Sequence, residues 1–250
     1  MAGSKDTFFV GWAPASGDLR TFLMVFSLCL LGFFGGASFM IAATQSDPGE
    51  GAVVGGANAI GLLEAKPYPV LHVLGSNFWE PGETVLLSGG GKRGVQDRAE
   101  ALDGEVVSVA GGRLERGDLH GLQLRGGKSG MKKSEMRVAD PIEPISLGRW
   151  RITGEICDGK CYIGAMRPGE GLAHKACANL CLSGGVPPVF VATDEIEGSE
   201  YFLLGNANGE PLSDAILDYS AILVEIEGRV EKRGTLNVFL IDEDSLTVAK

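Results

Sequence analysis

Catalytic equipment is scarce in this chain, and each absence removes a class of function. Three histidines in 250 residues, His72, His120 and His174, leave little imidazole for acid–base work, although carboxylates can take that role. There is no Gly-x-Ser-x-Gly elbow, no His-Glu-x-x-His zinc helix, no Cys-x-x-Cys pair and no Cys-x-x-Cys-His haem attachment pattern. Ser88-Gly89-Gly90-Gly91-Lys92-Arg93-Gly94 falls short of a phosphate-binding loop, because Leu86 and Arg93 stand where the motif needs glycine and Ser or Thr. It reads instead as a glycine-rich connection from a strand to a helix. No residue is therefore assigned a catalytic role. Net positive charge is also missing: 22 basic residues against 32 acidic ones leave −10, and a nucleic-acid partner would require a basic footprint. Aromatic residues are few, and Trp79, Trp150, Phe190 and Tyr201 read as core or rim rather than as a stacking platform.

The most local absence is of charge between Thr21 and Ser46. Phe22 to Ala43 is apolar enough to cross a hydrocarbon core of about 30 Å as one helix. A cleaved signal peptide is the alternative, with Gly35-Gly36-Ala37 as small residues for cleavage. The apolar run continues beyond them through Phe39, Met40 and Ile41, which favours an uncleaved anchor. Lys5 and Arg20 precede the span and the next base is Lys66, so the N-terminus is expected in the cytoplasm and the bulk outside it. In a cell with two membranes that means a single-pass inner-membrane protein with periplasmic domains. Asp47 and Glu50 on the far side agree, and Phe8, Phe9 and Trp12 fit an interfacial belt.

What the remainder does contain is a repeat. A shift of 117 positions lays Glu83–Arg125 on Glu200–Asp242 without a gap, and nine of the 43 pairs are identical, Gly111/Gly228, Arg116/Arg233, Gly117/Gly234 and Leu119/Leu236 among them. In the second copy Arg149 to Ile156 alternates apolar and polar residues as a half-buried strand does. Val186–Ala192 and Glu200–Leu204 are strand-like, and Leu212, Ala215, Ile216 and Tyr219 place one apolar stripe on a short helix. Two closing strands follow, Ile222–Val230 and Thr235–Ile241. The first copy repeats this order with Ile60–Ala65, Pro69–Val73, Thr84–Leu87, a helical stripe of Val95, Ala99 and Leu102, then Glu105–Leu114 and Asp118–Leu124.

Three strands, a helix and two strands is the order of a five-stranded OB-type barrel, so the expected fold is mainly β: a single transmembrane helix followed by two tandem OB-like barrels, each with a short helix. The expected divisions are a cytoplasmic segment 1–20, an anchor 21–46, a first barrel 57–127, a linker 128–148 and a second barrel 149–250. Gly111 and Gly228 fall inside the fourth strand, where a small barrel must bend. Arg116 and Arg233 sit beside hairpins and are expected to be solvated. Lys128, Lys132, Lys133 and Arg137 give the linker its local positive charge.

Only the second copy carries an insertion, and it brings four cysteines in or beside it: Cys157 and Cys161, then Cys177, three residues after His174, and Cys181. Cys177 and Cys181 share one face of a short helix that Gly184-Gly185 stops. Three chemistries fit. Outside the cytoplasm, four cysteines suggest disulfides, cross-paired because residues one helical turn apart rarely present disulfide geometry. The choices are Cys157 with Cys181 plus Cys161 with Cys177, or the reverse. The same thiols, with His174, are a ligand set for zinc or copper(I), although Cys-x3-Cys is weaker than Cys-x2-Cys. A redox-active thiol is the third chemistry. Cys29 lies in the span as ordinary packing.

Gly154, Asp158, Cys161, Cys177, Cys181, Gly184 and Gly185, followed by Val189-Phe190-Val191-Ala192, form the pattern Gly-x3-Asp-x2-Cys … Cys-x3-Cys-x2-Gly-Gly and a hydrophobic strand. In this the second half resembles small secreted bacterial domains with an OB-like barrel. The resemblance covers about residues 150–241 and implies that fold and an extracytoplasmic compartment, without an activity; Cys157 lies outside the pattern. The haem chaperone of cytochrome c maturation is also membrane-anchored and OB-like, but its His-x3-Tyr has no counterpart here. Together these features lead to a non-catalytic accessory, assembly or interaction subunit beside an integral membrane partner. The alternative is a metal-handling or thiol-redox protein acting through the cysteine cluster.

Overall fold

The structure, a computed structural model, describes residues 16–44, 50–136 and 141–249. Lys5, Phe8, Phe9, Trp12, Ser46, Asp47 and Arg137 lie outside the described residues. The chain divides into an N-terminal unit ending at Asp47 and a second unit from Pro48 onward.

The first unit contains one helix, α1 (Gly17–Thr44), which begins four residues before the expected span. At about 1.5 Å per residue it is long enough to cross a membrane, and its apolar composition suits that environment or a signal sequence. Its side chains are almost all exposed, and none of its residues is buried.

The second unit is mainly β and holds two sheets of six strands. The first comprises β1 (Ala52–Glu64), β2 (Val70–Ser76), β3 (Thr84–Ser88), β4 (Val106–Arg116), β5 (Leu119–Leu124) and β6 (Met131–Lys133), with helix α2 (Gln96–Glu100) between β3 and β4. The second comprises β7 (Ile145–Asp158), β8 (Pro188–Ile196), β9 (Ser199–Asn206), β10 (Leu223–Arg233), β11 (Leu236–Ile241) and β12 (Thr247–Val248). Helix α3 (Lys175–Ser183) lies in the insertion between β7 and β8.

In the first sheet the neighbours run β1-β2-β3-β5-β4-β6, and β4 also pairs with β1. The second repeats this as β11-β9-β8-β7-β10-β12, with β11 also paired to β10. In each sheet one pair is parallel, β3 with β5 and β9 with β11, and the repeat shift carries the first register onto the second: Leu86↔Gly121 becomes Leu203↔Val238. The bounds of β4 and β5 shifted by 117 are those of β10 and β11.

Several expectations need correction. Each sheet has a sixth strand beyond the five foreseen. β6 sits in the segment read as a linker, because Met131 has an apolar side chain to bury in the first core while Lys132 and Lys133 stay exposed on the sheet edge. β7 also begins inside that segment, at Ile145, and β1 starts five residues ahead of the expected boundary at 57. The helix of the second copy is a 3₁₀ turn, Asp214–Tyr219, in which Ile216 is buried while Leu212 and Tyr219 pack at the margin.

Three large apolar clusters organise the unit, beside a small fourth one at the cysteines. One lies within the first domain, around Leu63, Leu71, Leu87 and Leu122, with Trp79. Another lies within the second, around Ile156, Phe190, Phe202 and Phe239, whose rings meet edge to face. The third is shared: Val70, Leu86, Leu114 and Leu119 of the first domain meet Val189, Leu203, Leu236, Val238 and Leu240 of the second. Arg116 and Arg233 belong to this contact and are not solvated. Arg116 donates to Glu50 O and lies 3.9 Å over the Tyr162 ring, and Arg233 pairs with Glu64 and donates to Lys66 O.

Gly111 and Gly228 act through close approach rather than through a positive φ. A Cβ at Gly111 would collide with Gln123 O, and one at Gly228 with Leu240 O, the equivalent carbonyl of the repeat. Gly111→Ala and Gly228→Ala are each expected to cost about 3 kcal/mol of stability, the upper range of overpacking in a rigid interior. Chemical denaturation of the full-length protein in detergent would measure it, with Gly90→Ala, where a Cβ meets open space, as a control that should change little.

Candidate thiol and metal site

Cys157 is the penultimate residue of β7, and the chain leaves the strand through Asp158. A strand alternates its side chains, so the two adjacent residues face opposite sides. Cys157 enters the shared cluster between the domains, whereas Asp158 turns into the insertion. One Asp158 oxygen accepts the backbone N–H of Cys161 at 2.8 Å, which fixes the π turn Cys161–Ala165 onto the strand end. Its other oxygen lies 2.8 Å from His174 Nε2. Both side chains are almost wholly buried, and His174 Nδ1 has no partner.

His174 stands at the N-cap of α3, and Gly184 ends that helix. One turn apart on α3, Cys177 and Cys181 face the π turn, where Cys161 meets them. Cys161 Sγ is 3.9 Å from Cys177 Sγ, and the ligand atoms of all three cysteines lie within 4.8 Å of one another. Asp158, Cys161 and His174 meet the same limit, so Cys161 belongs to both groups. Val186 closes a small apolar pocket around the thiols.

The first domain supplies the other wall. The glycine-rich strand-to-helix connection lies against the insertion, where Gly94 N–H donates to Gly184 O at 2.8 Å. A side chain at Gly94 or Gly184 would run into the opposing backbone. Lys92 on this loop places Nζ 2.6 Å from Cys177 Sγ. Lys160, from the turn beside Cys161, points the other way and donates to Gly89 O and Gly91 O at 2.8 and 2.6 Å. The sequence predicts only a strand-to-helix connection over Ser88–Gly94; the signal for the contact is the run Gly89-Gly90-Gly91, whose bare backbone leaves carbonyls open to a neighbour.

The electrostatics follow from this packing. The hydrogen bond with Cys181 raises the Cys161 thiol, reinforced by burial, and the same bond holds Cys181 down. Burial lowers Lys160, while its bond to Cys177 raises Lys92. Burial, then the nearby Glu155 carboxylate, pushes Cys157 well above the ordinary thiol range.

Of the five residues expected to act together, the structure assembles Cys161, His174, Cys177 and Cys181, adds Asp158, and leaves Cys157 out. Cys157 Sγ donates instead to Glu155 Oε1 at 3.3 Å. Among the described residues no disulfide is formed, and both cross-pairings would need Cys157 to reach α3 from a different cluster. Of the remaining histidines, His72 is buried against Glu64 and Thr84, and His120 lies near Glu83 and Trp79.

The donors suit a thiophilic ion. Three thiolates satisfy trigonal copper(I) or three positions of tetrahedral zinc, and the unpartnered, buried Nδ1 of His174 shows a nitrogen not committed to the protein's own hydrogen bonding. Comparison with protein-family models, curated proteins and solved structures finds no match for the chain.

Asp158→Ala is expected to cost about 3 kcal/mol in denaturant unfolding, because it strips a buried imidazole and a backbone N–H of their acceptor. Since the thiolate is the nucleophile, the raised and buried Cys157 should resist alkylation at pH 8, where half-buried Cys177 reacts. Peptide mass mapping after iodoacetamide treatment reads both residues.

Proposed function

We propose that this protein is a membrane-anchored, extracytoplasmic metal-handling protein whose centre is Cys161, Cys177 and Cys181. The single observation that carries this reading is the convergence of three free thiols from two separate segments. Disulfide staples would pair cysteines in twos; a third thiol in the same pocket is better accounted for as a ligand. Asp158 would orient His174 and hold the turn that presents Cys161, and Lys92 would offset charge at Cys177. When bound, the ion would supply a thiolate complex for transfer or sensing.

The scaffold in this proposal is a pair of OB-type barrels. The cyclic strand pairing with a parallel third-to-fifth pair supports that assignment, as does the resemblance to secreted OB-like domains. The anchor supports retention at the membrane, and partners are then to be sought among integral membrane proteins. A non-catalytic accessory role is compatible with the same anchor and would use the thiol centre as its cargo or sensor site.

A second reading rests on the 3.9 Å between Cys161 and Cys177. In it the two thiols give up two electrons and two protons to a disulfide-bearing partner, which becomes two thiols while Cys161 and Cys177 become a disulfide. Native mass spectrometry of protein prepared anaerobically separates the readings. One zinc or copper(I) per chain is expected, with affinity falling at least about 100-fold in Cys161→Ser and Cys181→Ser and unchanged in Cys157→Ser. An ion-free protein that gains one disulfide on exposure to oxidised glutathione would replace the metal reading with the redox one.

A further inference from the structure

The contact between the two β domains has a property that neither domain has alone. Under the repeat shift Leu86 becomes Leu203 and Leu119 becomes Leu236, and all four lie in the shared cluster. Val70 and Val189 join them, each opposite the equivalent leucine in its own sheet. The hairpins agree. Gly117, at φ +52°, faces Tyr201, and Gly234, at φ +62°, faces Thr84; positions 84 and 201 are themselves equivalents. When residue i of one copy meets residue j of the other, and j of the first meets i of the second, the interface is isologous, the mark of a two-fold pair.

The edges of the contact obey the same operation. Residues 65–69, between β1 and β2, lie against the end of β9 and the loop after it: Lys66 Nζ is 2.6 Å from Glu210 Oε1, and Pro67 crowds Gly205. The equivalent junction places the β7–β8 insertion on the loop after β3, where Lys160 meets Gly89 and Gly91. The thiol pocket occupies this second junction, with Lys92 of the opposite domain on Cys177.

We infer that the two β domains pair as the halves of a fused homodimer, and that the thiol centre is an elaborated copy of one of two equivalent junctions, completed by the first domain. The surface concerned is the face of each domain bearing Val70, Leu86 and Leu119 or their equivalents, and the partner it fits is another copy of the same fold. The pairing stands on the interface alone. Completion of the centre rests on the thiol pocket of the metal reading, but needs no ion.

The test uses the full-length protein in detergent, with Leu119→Asp and Leu236→Asp as equivalent lesions and Leu119→Ala and Leu236→Ala as milder versions that spare folding. Hydrogen exchange is read by mass spectrometry and thiol access by alkylation, without added metal. Either lesion should deprotect both Arg–Gly hairpins and the insertion together, while the central residues of β4 and β10 keep their protection. Alkylation of buried Cys161 and Cys181 should rise about tenfold or more in both aspartate variants, as local opening of a closed site requires. Deprotection confined to the domain that carries the lesion would overturn the pairing. Joint deprotection with unchanged Cys161 and Cys181 alkylation would overturn the first domain's part in the centre. If the aspartate variants lose global protection, the alanine pair decides by the same criteria. Failure of the wild-type protein to take up metal would refute the metal reading and leave these outcomes unaffected.

Discussion

Burial of Val70, Leu86 and Leu119 against Val189, Leu203 and Leu236 makes one body of two small β domains, and the thiol site lies at an edge of that contact, walled on one side by the first domain. Each such side chain removed from water contributes about 1.5–3 kcal/mol, so the six together outweigh the exposed ion pairs nearby, which contribute about 0–1 kcal/mol each. Lys66 with Glu210 can therefore set alignment at its junction but does little to hold it. Arg116 and Arg233 differ, because they reach across while largely shielded from water, which concentrates their cation–π and carboxylate contacts.

Beside this apolar contact lies a set of buried polar groups whose cost is offset by hydrogen bonds at Asp158 and Lys160, with His174 Nδ1 left unpartnered. The Asp158 carboxylate has both oxygens engaged, one by the Cys161 backbone and one by His174. Lys160 loses hydration on entering the junction and recovers it from two carbonyls, which a loop with side chains at positions 89–91 would present less freely. The glycines at 94 and 184 let two backbones hydrogen-bond directly, so the insertion is held by main chain as well as by side chains. Geometry of this kind fixes three thiols within a few ångströms without a covalent link among them.

Much of the scaffold was legible from the repeat, because a gapless shift preserves strand register along with the side chains that face each core. Cys177 and Cys181 were legible as a helical pair because their spacing and the following glycines leave few other conformations. The start of β1 was not, since Gly55, Gly56 and the small residues around them mask the alternation of a strand. Nor was β6, where only Met131 faces a core. The shared face was hidden for a different reason: β3 is buried along its whole length, so its apolar run Val85-Leu86-Leu87 serves two cores and its period says nothing of the second. The displacement of Cys157 follows from strand alternation, but only once the end of β7 is placed at Asp158.

The glycine-rich loop precedes the cysteines in the chain. On a ribosome or at a translocation pore, the first domain is therefore complete before Cys161, Cys177 and Cys181 emerge. If the first domain folds as it emerges, the insertion meets a surface already formed, which would give the first copy of the repeat a temporal role as a template. A domain without a cysteine of its own would thereby set the company in which three thiols are first brought together.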